Sequence, residues 1–126
     1  MKKTDIDQFE TLQGQLQSFA EDLNTLAKKS PNDLLNKFKL GLVNSVLQKA
    51  NAFLGNTRKP FADFGQFDDP SLPSNSDVLI MVSQYLSAFE KLRTENITAT
   101  STGWYWVVEG QKDLSRRTAP PENLDR

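Results

Sequence analysis

The chain contains no cysteine and no histidine among its 126 residues. Without cysteine it can form neither disulfides nor thiolate nucleophiles, and every zinc site that uses cysteine ligands is excluded. Without histidine it lacks the side chain whose pKa lies nearest neutrality, so Ser-His-Asp and Cys-His catalytic arrangements are excluded too. Enzymatic activity is left to rarer solutions, such as carboxylate pairs, Ser-Lys dyads or magnesium held by carboxylates.

Long apolar runs and an excess of one charge are missing as well. The longest purely apolar runs, 78–82 and 104–108, are far shorter than the roughly 20 residues that a membrane-spanning helix needs. No apolar stretch follows the first residues, so the sequence predicts no secretion signal and a cytoplasmic location. Fifteen basic and sixteen acidic residues give a net charge of −1, and their even mixing makes nucleic acid an unfavoured partner.

The composition that remains is that of a globular domain, with 37% hydrophobic and 25% charged residues. A chain of this length buries roughly two-thirds of its unfolded surface, which is enough for one modest core. We therefore expect a single helical domain over residues 1–117. Residues 118–126 are mostly polar and contain two consecutive prolines, so they are predicted to form a disordered tail.

Three segments have the apolar spacing of α-helices. In the first, over residues 4–29, large apolar residues recur at alternating intervals of three and four, which predicts a helix that packs along one stripe. These residues are Phe9, Leu12, Leu16, Phe19, Leu23 and Leu26. A second helix is predicted from a Ser-Pro start signal at Ser30 to Leu54, where Gly55 favours an end. A third is predicted over residues 76–95, with one apolar face and Ile80 on its polar side.

The predicted second helix is apolar around much of its circumference. Its apolar residues cover well over half of that circumference, which is more than contact with one neighbouring helix requires. Lys37, Asn44, Gln48 and Asn51 mark the side that we expect to face solvent. The pattern therefore predicts a central helix with two neighbours.

Residues 55–75 have no helical period and contain three prolines and three phenylalanines. A structureless stretch of about 20 residues is uncommon inside a compact domain. One interpretation is that Phe61, Phe64 and Phe67 hold the loop against the helices. The other is that they form an aromatic docking segment for a partner.

Residues 97–108 are rich in β-branched and aromatic side chains and predict a short β-hairpin. Strand alternation places Trp104 and Trp106 on one face and Tyr105 on the other. Large aromatic side chains are enriched at contact surfaces, although packing of this strand against the helices is the plainer interpretation. An unpaired apolar edge would also invite a strand from a second chain, so self-association is predicted.

Together these patterns predict a mostly α fold: a three-helix antiparallel bundle with a short C-terminal β-hairpin and a long loop that contains Phe and Pro. The expected function is a non-enzymatic protein-interaction domain (an adaptor, subunit or regulator) that binds a protein partner and forms a homodimer. The candidate contact residues are Trp104, Tyr105, Trp106, Phe61, Phe64, Phe67 and Ile80. No catalytic residue, metal site, cofactor or membrane contact is predicted. A carboxylate-based enzyme and a weak nucleic-acid-binding module remain as alternatives.

Overall fold

A computed structural model describes residues 1–68 and 70–122 of the chain. In chain order its elements are α1 (Lys3–Lys29), α2 (Lys37–Leu54), α3 (Asn75–Thr94), β1 (Ile97–Thr100), β2 (Gly103–Trp106) and β3 (Arg117–Thr118). The predicted mostly α fold with three helices and a C-terminal hairpin is confirmed. The hairpin is extended by β3 into a small antiparallel sheet of three strands.

α1 runs antiparallel to both of the other helices. Near its start, the ring of Phe9 lies 6.2 Å from that of Phe53 near the end of α2 and 5.1 Å from that of Phe89 in the last part of α3. At the opposite end, Asn75 at the start of α3 donates a hydrogen bond to the carbonyl of Ser30, just beyond α1 (2.9 Å). α2 and α3 therefore run parallel to each other, and residues 55–74 carry the chain back along the bundle.

The core forms mainly between α1 and α3, which pack more closely than any other pair of helices. The predicted stripe of α1 supplies much of it, although Phe19 and Leu26 are only partly buried. At the sheet end, Trp106 adds its ring to the aromatic cluster, 5.2 Å from that of Phe9. The sheet is thus anchored to the helices through a buried tryptophan, as a small sheet must be to persist.

α2 begins later than predicted, because the residues before it make tertiary backbone hydrogen bonds. Ser30, the predicted N-cap, instead closes α1. Asn36 caps α2 by accepting a hydrogen bond from the backbone N–H of Lys39 (2.8 Å). Between the two helices, the N–H of Leu35 donates to the carbonyl of Pro73 (2.9 Å), which holds this connection beside the segment that precedes α3. The start predicted from the Ser-Pro signal is therefore wrong, whereas the end at Leu54 is confirmed.

β2 is the central strand of the sheet, with β1 on one side and β3 on the other. Trp104 pairs with Ala99 of β1 and with Thr118 of β3. An unpaired edge on the tryptophan strand was the condition for addition of a strand from a second chain, and β3 covers that edge.

The segment from 117 to 122 lies against α3 and β2. The guanidinium of Arg93 donates hydrogen bonds to Oγ1 of Thr118 (2.9 Å) and to the carbonyls of Ala119 (2.7 Å) and Pro120 (2.9 Å). This ordered arrangement departs from the predicted disordered tail over 118–126, because a buried cation on α3 binds the main chain. Residues 123–126 of that prediction lie outside the described residues.

Candidate interaction surface

The three aromatic candidates of β2 differ in their accessibility. Trp106 is 1% exposed and belongs to the core, so it is removed from the candidate surface. Trp104 lies on the same face and is partly buried against the core. Tyr105 points to the other face, where the guanidinium of Arg117 lies 5.4 Å from its ring centroid. The plainer interpretation, packing of the strand on the helices, describes Trp104 and Trp106 in this fold.

The three phenylalanines of the long loop also differ in their exposure to solvent. Phe64 and Phe67 contact each other, with ring centroids 5.1 Å apart, and pack against the core. Phe61 is 44% exposed. Asn44 of α2 holds the loop by two hydrogen bonds: its amide donates to the carbonyl of Phe67 (2.8 Å), and its Oδ1 accepts from the N–H of Phe67 (2.9 Å). The loop is thus attached to the helices around Phe67.

Asn51 makes a second attachment between α2 and the loop. Its amide donates to the carbonyl of Gly65 (2.9 Å), and its Oδ1 accepts from the hydroxyl of Tyr85 (2.6 Å). Burial raises the pKa of Tyr85, and the hydrogen bond to Asn51 partly opposes that rise. The side chain of Gln48 also bonds that of Gln66. The side of α2 that was predicted to face solvent therefore binds the loop.

Ile80 is 61% exposed on α3, as its position on the polar side of that helix predicts. Among the candidates, Ile80, Phe61 and Tyr105 thus remain at or near the surface, at separate places in the fold.

An apolar depression of the described surface lies between the second half of α1 and the first half of α2. We call it the α1–α2 groove. It has a volume of about 480 Å³. Its apolar lining consists of Phe19, Leu23, Leu26, Leu35, Phe38, Leu42 and Val43. α2 contacts α1 far less extensively than α3 does, which leaves room for a groove between α1 and α2.

Two groove residues on α2 are largely uncovered. Phe38 is 75% exposed and Leu42, one helical turn later, is 46% exposed. Leu34 is also exposed, in the connection just before α2. Contiguous apolar surface of this kind, unlike a single exposed side chain, is typical of a contact site.

Opposite charges lie on the two sides of the α1–α2 groove. Asp22 belongs to the α1 side and Lys39 to the α2 side. Within the described chain neither side chain takes part in a salt bridge. The groove thus combines an apolar floor with one acidic and one basic group that are free to pair with another molecule.

The wide apolar surface of α2 was visible in the sequence, but it was expected to be buried between two neighbouring helices. The apolar residues of α2 cover more of its circumference than one neighbour requires, and two buried neighbours were expected for it. In the structure α2 packs chiefly on α1 and only slightly on α3. The surplus apolar arc, which includes Phe38 and Leu42, therefore lines an open groove.

The buried charges form an ion pair rather than a carboxylate pair. Among residues 1–68 and 70–122, Glu90 is the one buried carboxylate, and Arg93 neutralises it at 2.7 Å. No group of three or more acidic, histidine or cysteine side chains in this part of the chain is placed to hold a metal ion. The same described residues contain no helix with the length and apolarity to cross a membrane.

Two basic residues that adjoin the sheet, Arg116 and Arg117, are engaged within the chain. Arg116 forms salt bridges with Asp7 and Glu10 of α1. Arg117 lies over the ring of Tyr105. Their positive charge is therefore partly committed to contacts inside the protein.

No protein-family model matches the sequence, and neither a curated protein nor a solved structure matches it significantly.

Proposed function

We propose that this protein is a non-enzymatic interaction domain, acting as an adaptor, subunit or regulator, and that it self-associates through the α1–α2 groove. The exposure of Phe38 is the observation that supports this most strongly, because three-quarters of a large aromatic side chain is left in water at an apolar groove. Phenylalanine in such a position gains free energy when a partner covers it.

The proposed occupant of the groove is a second copy of the chain. Homodimers mostly have two-fold symmetry, in which the same surface of each copy meets that of the other. A two-fold axis that runs along the groove would bring α1 of each copy opposite α2 of the other, and with it Asp22 opposite Lys39, so both charges would be paired. The same axis would place Phe38 of each copy over the apolar floor of its partner. Two helix pairs would then form a four-helix arrangement.

The expected affinity is moderate. Full burial of an exposed Phe or Leu side chain contributes roughly 1.5–3 kcal/mol, and each copy supplies two such side chains, Phe38 and Leu42, both already partly covered. Association costs at least about 4 kcal/mol in lost translational and rotational freedom. The surplus is therefore at most about 8 kcal/mol, so a dissociation constant in the micromolar range or weaker is expected rather than a nanomolar one.

The test is the mass of the protein in solution between low and high micromolar concentrations. Sedimentation equilibrium should show a shift from the chain mass of 14.2 kDa towards twice that value. Substitution Phe38→Ser should raise the dissociation constant about tenfold or more, because it removes one apolar contact from each half of the interface. The fold of the variant should be intact, since Phe38 is largely exposed in the monomer.

Ile80→Ser provides the matched control, since Ile80 is a similarly exposed apolar residue on another helix. It should leave the dissociation constant unchanged. A wild-type protein that stays at the monomer mass up to millimolar concentration would refute self-association. If Ile80→Ser weakened the dimer and Phe38→Ser did not, the dimer contact would lie on α3 and not at the groove.

A further inference from the structure

The C-terminal segment 117–122 is held by its main chain rather than by buried side chains. Residues 119–122 are exposed and Thr118 is only half-buried. Within this segment the main-chain carbonyls of Ala119 and Pro120 and the N–H of Glu122 bind to α3. Such a segment resembles a bound peptide more than an element of the core.

The site that holds it is a buried ion pair. Glu90 is 2% exposed and Arg93 is 4% exposed. Two N–H groups of the guanidinium bind the Glu90 carboxylate, at 2.7 and 2.8 Å. The guanidinium also donates to the segment three times, and the N–H of Glu122 donates to the same Glu90 carboxylate (2.9 Å). The hydrogen-bonding capacity that the ion pair leaves over is thus filled by the segment 117–122 in this structure.

The segment 117–122 both shields the ion pair from water and replaces the hydrogen bonds that water would make with it. Charged donors and acceptors that are removed from water but left without partners cost more free energy than neutral ones. The segment 117–122 supplies these partners at the rim of the fold, where it can also leave without removing apolar side chains from the core. When the segment leaves, water can take over these hydrogen bonds, so a new occupant is held by the bonds that it makes in place of that water, and it need not be covalently attached.

The edge of β2 completes the cleft. Thr118 pairs with Trp104 and Arg117 pairs with Tyr105, so the occupant enters as an added strand. The N–H of Trp106 also donates to the carbonyl of Arg116 (2.9 Å). Addition of a strand to a sheet edge is a common mode of peptide recognition, in which main-chain hydrogen bonds supply much of the affinity.

The sequence of the segment defines the class of ligand. Thr118 offers a hydroxyl to Arg93, and the two carbonyls that follow it accept the remaining guanidinium bonds. Pro120 and Pro121 favour an extended conformation in the residues before them, which lowers the entropy lost on binding. Proline at 120 also brings no N–H group that would need a partner in the cleft.

We propose that α3 and β2 form a peptide-binding cleft, centred on Glu90 and Arg93, for an extended Thr-x-Pro-Pro peptide. In this chain residues 117–122 occupy the cleft in cis and block it. A ligand is therefore a peptide of the same pattern from another molecule, which enters when the cis segment leaves. This cleft is separate from the α1–α2 groove, so the proposal does not depend on self-association there.

The test uses the full chain with a protease-recognition sequence placed in the exposed turn 110–114 and cut after folding. The C-terminal fragment should remain bound through gel filtration and exchange with a fluorescently labelled synthetic peptide of residues 114–122. Binding of that peptide should saturate, and Thr118→Val in the peptide should weaken it about tenfold, because the isosteric side chain cannot accept from Arg93. A peptide of scrambled sequence provides the control.

A second variant examines the cleft itself. In the cut protein, Arg93→Met should reduce peptide binding more than tenfold, whereas Arg58→Met, at the exposed pair with Glu95, should not change it. Three results would overturn the proposal: loss of the fragment with no binding of the labelled peptide at millimolar concentration, equal binding of the scrambled peptide, or unfolding of the cut protein. Should Arg93→Met fail to fold, the Thr118→Val peptide still decides the question on the wild-type cleft.

Discussion

Tyr85 joins the core to the long loop through a single hydroxyl. Its ring is fully buried, and the hydroxyl donates to Asn51, which in turn holds Gly65. Burial raises the pKa of Tyr85 above its usual value near 10. Below about pH 10 the folded and unfolded chains are both protonated here. As pH rises further, the unfolded chain loses this proton first, so the free energy of unfolding should fall.

Urea unfolding of the wild type and Tyr85→Phe between about pH 8 and 11 measures this effect. At about pH 8 the variant should be less stable by about 1 kcal/mol, since the hydrogen bond to Asn51 is lost. Above about pH 10 its stability should decline less steeply than that of the wild type. Taking the difference cancels the titration of lysines, which both proteins share. Parallel curves across this range would contradict a raised pKa for Tyr85.

Single residues could be predicted from the sequence where periodicity decides their position. Helical spacing correctly places Ile80 on the polar side of α3, and strand alternation correctly places Trp104 and Trp106 on one face. The burial of Glu90 and Arg93 could not be predicted in this way. An acid and a base three residues apart on a helix are usually an exposed pair. These two are covered by residues 117–122, and that contact has no local signature.

Elements could be predicted where their causes are local. The stripe of α1 and the glycine that ends α2 both act within a few residues, and the structure has both features. The start of α2 depends instead on the distant Pro73, whose carbonyl accepts from Leu35. β3 depends on β2 in the same way, because a strand of two residues carries no recognisable period. Sequence patterns fail here because the hydrogen-bond partners lie far along the chain.

Asn44 controls the attachment of the long loop to α2. Its side chain both donates to and accepts from the main chain of Phe67, in a partly buried position. Asn44→Ala should therefore loosen the loop, and the N–H of Phe67 should exchange with solvent deuterium at least tenfold faster. Hydrogen exchange followed by NMR measures this directly. Ser45→Ala, at the exposed neighbouring position, should leave the exchange rate unchanged. Equal rates in wild type and Asn44→Ala would show that Phe64 and Phe67 hold the loop by packing alone.

At the scale of the whole molecule, the unequal packing of the helices determines which surface is free. α1 and α3 form the main contact, while α2 lies to the side and uses its polar residues to bind the loop. The apolar surface of α2 is wide enough to pack on two helices, but it packs on α1 and only slightly on α3. Composition and periodicity predicted the arc, but they contain no information on which helix pair packs most closely. The α1–α2 groove stays open because α1 packs more closely on α3 than on α2.

The charges beside the groove allow a test of symmetry as well as of contact. In the proposed dimer, with its two-fold axis along the groove, Asp22 of each copy would face Lys39 of the other, so reversing one charge would turn both attractions into repulsions. Asp22→Lys alone and Lys39→Asp alone should each weaken the dimer about tenfold at low salt, as expected for two exposed pairs of roughly 0.2–1 kcal/mol each that change sign. The effect should shrink at high salt, because exposed charges are screened.

Combining the two substitutions distinguishes direct pairing of Asp22 with Lys39 from an effect of the changed net charge of the protein. The double variant Asp22→Lys/Lys39→Asp should dimerise nearly as well as the wild type, because the acid and the base have only exchanged sides. A mixture of the two single variants should form heterodimers for the same reason, since all-basic grooves would meet all-acidic ones. Sedimentation velocity of each single variant, the double variant and the mixture measures all four predictions. Additive weakening in the double variant would mean that Asp22 and Lys39 do not face each other, and another surface would have to form the dimer.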